Sequence, residues 1–150
     1  SSSKIYQEKS NMALTVPYVA GEYLMLQYIL GLATVGTGPV LHIYSNDPTI
    51  SNATVIGQLT ECTSGGYAPI SLLSAGWTTV QASNITSAVY SSQTFSFSTN
   101  AVTYGYYVTD SSSANSGRGN LLWVERFSGA PFSIPDSGGT ESIAVRLTLA

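Results

Sequence analysis

The chain has 150 residues, of which 43% are hydrophobic and only 9% charged, with a formal net charge of -3. An average soluble domain carries charge on about a quarter of its positions. With so few cations the chain lacks the basic footprint that nucleic acid requires and has no attraction to an anionic membrane surface. One cysteine, Cys62, and one histidine, His42, exclude an internal disulfide and a zinc site built from that pair alone. No phosphate loop, dinucleotide fingerprint or metal spacing occurs, so no cofactor is expected.

The length is that of one domain. Residues 1–11 (SSSKIYQEKSN) hold both lysines and no apolar period. They read as a leader or an N-terminal arm, and no role in the fold is expected of them. The remainder, 12–150, reads as a single β-domain. Tyr18–Leu32 is the one good helix candidate, with Glu22 near its start and Gly31 placed to close it. Tyr23, Leu24, Met25, Leu26, Tyr28, Ile29 and Leu30 leave it no polar face. Such a helix either plugs the end of a sandwich or is buried between subunits. At this length it is too short to span a membrane.

From Pro39 the hydrophobic period changes to two. Strands are expected at Val40–Tyr44, Thr54–Thr60, Pro69–Leu73, Trp77–Gln81, Thr94–Ser98, Tyr104–Thr109, Leu121–Phe127 and Ser142–Leu149. Phe95 and Phe97 share one face of their strand; Ile143, Val145, Leu147 and Leu149 share one face of the last. Leu121–Phe127 is apolar on both faces and reads as a central strand. Ser45-Asn46-Asp47-Pro48, Ser64-Gly65-Gly66, Ala75-Gly76 and Ser137-Gly138-Gly139 supply turns, and Asp110–Asn120 an exposed loop. The pattern predicts an all-β fold with one N-terminal helix: an antiparallel two-sheet sandwich, with a jelly roll as the expected topology. Few charged gatekeepers guard the outer strands, which an assembly tolerates because a partner covers the edge.

Catalytic signals are weak. Glu61, Asp110, Glu125 and Asp136 are the carboxylates a glycosidase pair could use. Glu125 shares a face with Trp123, but a structural ion pair, with Arg146 as one candidate, is the better reading. A nucleophilic triad would have to use His42, and no Gly-x-Ser-x-Gly elbow accompanies it. Cys62 has no basic neighbour in sequence to activate it. Asn52-Ala53-Thr54 and Asn84-Ile85-Thr86 match the glycosylation sequon, as chance allows in a chain with 39 Ser and Thr residues. Tyr104, Tyr106 and Tyr107 read first as core, second as subunit interface and third as a sugar platform.

Several segments are familiar in combination. They are Met12-Ala13-Leu14-Thr15-Val16-Pro17 before a Leu-rich helix, Leu41-His42-Ile43-Tyr44-Ser45-Asn46 with its Pro48 turn, and Gly66-Tyr67 and Trp77. Tyr104-Gly105-Tyr106-Tyr107, Leu122-Trp123-Val124-Glu125-Arg126-Phe127 and the Gly138-Gly139-Thr140 turn complete the set. From Met12 to Ala150 the chain resembles small all-β virion structural proteins of tailed bacteriophages. The resemblance implies a non-enzymatic head decoration (cement) protein, or else a tail-fibre, baseplate or neck component, in the virion at the capsid surface or in the tail. It implies a homo-oligomer, with a trimer preferred, partnered by major capsid or tail proteins. Tyr18, Tyr23, Leu26, Tyr28 and Leu30 are the candidate interface residues. A carbohydrate-binding module is the alternative from a different class.

Overall fold

The computed structural model describes residues 3–6, 14–32, 38–110 and 119–149. Met12-Ala13, the interior of the expected Asp110–Asn120 loop and the side chain of Leu149 lie outside the described residues. The described chain is mostly β-strand, in several small sheets that are antiparallel but for one pairing, with one short helix.

The central sheet runs β3-β2-β8-β9: Ile70–Ser71 (β3), Val40–Tyr44 (β2), Gly105–Thr109 (β8) and Leu121–Arg126 (β9). It is apolar on both sides. Leu41, Ile43, Tyr106, Val108 and Trp123 enter the main core with Phe95, Phe97, Phe127, Ile134, Ile143 and Val145. Tyr44, Tyr107, Leu121 and Val124 form a second cluster with Leu59. Simple alternation would put Leu121 and Trp123 on one face and Leu122 and Val124 on the other. Instead a bulge leaves Val108 opposite Trp123 but Thr109 opposite Leu121. The extra residue, Leu122, swings into the main core, and Leu121 joins Val124.

β9 is not central: it is the outer strand of its sheet. Its edge is sealed by Thr15, whose N–H donates to Val124 O (3.0 Å) and whose carbonyl accepts from Val124 N–H (2.9 Å). Both faces of β9 are apolar because Leu122 and Trp123 pack into the main core and Leu121 and Val124 into the second cluster.

The helix starts directly after this bridge. Its first turn, Tyr18–Glu22, is wide, with Glu22 N–H donating to Pro17 O five residues back. It continues as α1, Tyr23–Ile29. Gly31 adopts φ +67°, Leu32 N–H bonds Gln27 O, and Gly31 N–H bonds Tyr28 O, a left-handed stop that glycine accepts without strain. The expected helix thus ends slightly early but on the expected glycine.

Three further sheets surround this core. Trp77–Ala82 (β4), Ile85–Tyr90 (β5) and Arg146–Leu149 (β12) form one in the order β12-β5-β4. Gln93–Phe97 (β6) and Gly139–Ile143 (β11) pair antiparallel, and Ser3–Tyr6 (β1) adds in parallel to β11. Ala101–Thr103 (β7) pairs with Phe132–Ile134 (β10). The segment Thr54–Thr60, expected as a strand, instead holds a 3-10 turn at Ile56–Gln58, where Gln58 Oε1 accepts from Val55 N–H. Pro69–Leu73 shrinks to the two residues of β3. The expected strand Ser142–Leu149 is two strands, with Ala144-Val145 between them. β5 had no turn signal ahead of it: Ser83 and Asn84 take φ 51° and 64°, making a two-residue hairpin turn without glycine.

Glu141, in the middle of β11, is fully buried, and among the described residues neither carboxyl oxygen has a hydrogen-bond partner. Burial pushes this acid from 4.5 up to about 7, and the neighbouring Thr103 hydroxyl only partly opposes it. A carboxyl raised in the folded state favours folding while both states hold the proton. Stability then falls as pH rises from 4.5, where the unfolded chain ionises, to about 7, where the folded one does. The loss is on the order of 3 kcal/mol. Glu141→Gln is expected to remove most of this slope and to melt higher than wild type at pH 8. Urea denaturation at pH 5 and pH 8 checks both expectations, and parallel losses in the two proteins would contradict them.

Candidate functional site

Two places bring together the side chains that the sequence singles out. The first is the helix. Its inner face, through Ala20, Gly21 and Leu24, lies on β9. Gly21 is needed there: a Cβ would sit 2.2 Å from Leu122 O. The outer face carries Tyr18, Glu22, Leu26, Ile29 and Leu30, spaced three and four residues apart and all exposed. Ile29 is 79% exposed, Leu32 66%, Leu30 65% and Leu26 59%. Glu22 is the one charge on this stripe. Among the described residues the helix is therefore covered on one side and open on the other.

Of the candidate interface residues, Tyr18, Leu26 and Leu30 lie on the open side. Tyr23 and Tyr28 are half-buried. The Tyr28 hydroxyl is buried, and burial and the nearby Asp110 raise its pKa. Ile29 and Leu32 join the exposed set although the sequence reading did not select them. Ile29 lies three residues after Leu26, and that spacing on one helix side was the signal that could have found it.

The second place is polar. His42 on β2 stands opposite Tyr107 on β8, and their rings stack at 4.6 Å with a 7° tilt. His42 Nδ1 lies 2.7 Å from Glu61 Oε1, and Nε2 lies 2.9 Å from Thr109 Oγ1. A carboxylate can only accept, so Nδ1 donates to Glu61, while Nε2 shares the second hydrogen bond with the Thr109 hydroxyl. Tyr67 donates to the same Glu61 oxygen at 3.0 Å and accepts from Ile43 N–H at 3.0 Å. Burial raises the Tyr67 pKa, so its hydroxyl keeps its proton.

This is the carboxylate–imidazole–hydroxyl order of a nucleophilic relay. The hydroxyl, however, belongs to a residue only 5% exposed, and the His42 side chain is 14% exposed. A substrate carbonyl would need to reach Thr109 Oγ1, which is packed behind the surface. The arrangement instead ties β2, β8 and the Glu61 segment together through part-buried hydrogen bonds.

Glu125 does not pair with Arg146. Tyr106 donates to Glu125 Oε2 at 2.5 Å across the β8–β9 pair, while Arg146 bonds Ser87 Oγ and Arg126 bonds Asp47. Tyr106 and Tyr107 are core residues, 3% and 4% exposed. Trp77 packs edge-on against Tyr90 and Trp123. Cys62 is buried and unbridged. Among the described residues no group of three or more His, Cys, Asp or Glu could hold a metal ion, and no helix is long and apolar enough to cross a membrane.

No protein-family model, curated protein or solved structure matches this chain. The functional argument accordingly rests on the molecule itself.

Thr109→Val is expected to leave the His42 Nε2 without a partner and to cost about 1–2 kcal/mol. Urea denaturation measures this. Wild type and variant should be equally inert toward p-nitrophenyl acetate, and a hydrolysis rate that falls with the variant would make the relay catalytic.

Proposed function

We propose that this chain is a structural protein of a tailed-bacteriophage virion, a head decoration (cement) protein that works as a homo-oligomer, with a trimer preferred. The observation that carries the reading is the open side of the helix, where Tyr18, Leu26, Ile29, Leu30 and Leu32 are presented together by an almost uncharged β-body. Scattered exposed apolar residues are ordinary, but a contiguous apolar stripe on a rigid element marks a contact surface.

The stripe is the centre of such a contact, not its whole extent. A stable interface buries about 800 Å² on each partner, with apolar groups in the middle and polar ones at the rim. Glu22 is the one charge within the stripe, and the Ser- and Thr-rich composition of the chain suits such a rim. In this reading the sheets close into a two-layer sandwich of jelly-roll type, rigid enough to hold the stripe in one orientation. The resemblance of residues 12–150 to small phage structural proteins supports the same assignment. The protein is then non-enzymatic, takes no cofactor, and has further copies of itself and a major capsid protein as its partners.

Leu26→Glu is expected to break the contact made through the helix and so to lower the oligomer order. The side chain is exposed in the subunit, so the monomer's own stability should move by no more than about 0.5 kcal/mol. Native mass spectrometry of both proteins reads the oligomer, and cryo-electron microscopy of purified particles reads the location. A wild-type chain that stays monomeric at micromolar concentration, or particles without density for it, would overturn the reading.

A further inference from the structure

We infer that β4 is a self-pairing edge, through which a second copy of this chain adds antiparallel across a two-fold axis at Val80. The contact is separate from the helical stripe and does not depend on the virion assignment.

β4 is the outer strand of β12-β5-β4. Tyr90 N–H donates to Val145 O on the β12 side of β5. Alternation along an antiparallel strand then points the amides of Val89, Ser87 and Ile85 toward β4. Their partners in register are Thr78, Val80 and Ala82. The amides and carbonyls of Thr79 and Gln81 therefore face away from the sheet. Trp77 N–H is already used by Ser74 O. Among the described residues no backbone hydrogen bond reaches the outer groups of Thr79 or Gln81.

Thr78 through Ala82 are all exposed, so neither face of the outer strand lies on the core. The ladder to β5 runs through six consecutive pairs without a bulge, and β4, its turn and β5 contain no charge and no proline. These are the devices that normally blunt an edge. By contrast β9 is bridged at Val124 by Thr15, and the outer strand β12 carries the exposed Arg146.

An unpaired strand edge is complementary to another strand, and this one is complementary to itself. A two-fold axis at Val80 sets Thr79 opposite Gln81 of the second copy and Gln81 opposite its Thr79. Each of these two pairs exchanges N–H and C=O bonds in both directions, which uses the groups left free. Val80, 44% exposed, then meets Val80 of the second copy in a non-hydrogen-bonded pair. Side chains approach most closely in such pairs, and β-branched residues pack well there. Thr78 lies opposite Ala82, and no like charges meet. The product is a continuous six-stranded sheet.

The geometry sets its own test. Cα atoms in a non-hydrogen-bonded pair are about 4.5 Å apart, within disulfide range. Under mild oxidation the full-length Val80→Cys variant is expected to run as a disulfide dimer on non-reducing gels. Wild type, whose Cys62 is buried, should not. Thr79→Cys is out of register with itself and should cross-link at least tenfold less. Adding Thr79→Pro to Val80→Cys removes an outward amide and should lower cross-linking at least tenfold at an unchanged melting temperature. Thr78→Pro removes an inward amide and should lower the melting temperature. Equal cross-linking by Val80→Cys and Thr79→Cys, or a Val80→Cys protein that stays monomeric, overturns the inference. Neither result touches the helix, whose contact is read separately through Leu26→Glu.

Discussion

The position of the N-terminal segment on β9 decides most of what this protein presents to its surroundings. Two backbone hydrogen bonds between Thr15 and Val124 close the free edge of the central sheet. A few residues on, Gly21 brings the helix so close to Leu122 that no side chain fits between them. These contacts leave the helix no rotational freedom. Leu24 and Ala20 must face inward, and the opposite side must face out, whatever its polarity. A largely apolar outer stripe is a consequence of that docking combined with a helix sequence whose only strongly polar side chains are Glu22 and Gln27.

Inside, a nearly uncharged protein uses its few polar side chains in different ways. His42, Glu61, Tyr67 and Thr109 satisfy one another, as do Tyr106 and Glu125. Each set links segments far apart in sequence and leaves its main groups partnered, the condition under which buried polar groups cost little. Glu141 is the exception. It is fully buried and, among the described residues, has no hydrogen-bond partner, so burial raises its pKa to about 7.

The two surfaces proposed for contact differ in physical kind. The helical stripe offers apolar area, whose attraction is non-directional and scales with what is covered. The β4 edge offers hydrogen-bond donors and acceptors at fixed spacing, which specify register and direction. One gives strength and the other orientation. A subunit with both could build an extended, ordered layer, since the two contacts lie on separate elements and do not compete for the same residues.

The all-β character, the helix with its glycine stop and several strands, β2 and β6 among them, were legible in the sequence, because period-two alternation and Gly31 are local signals. So was the inward set Phe95, Phe97, Ile143 and Val145, which local alternation of side chains picks out. The hairpin into β5 was not legible, since Ser83-Asn84 is an uncommon pair for a left-handed turn. The break between β11 and β12 was hidden because Ile143, Val145 and Leu147 keep their alternation across it. Glu125 finding Tyr106 in place of Arg146, and His42 lying between Glu61 and Thr109, depend on register across strands that no local pattern encodes. The sequence by itself determined that this protein is a weakly charged β-fold with one apolar helix. Only the tertiary structure decided which side of that helix is covered and which strand edge is left open, because both follow from long-range backbone pairing, whose partners lie tens of residues apart.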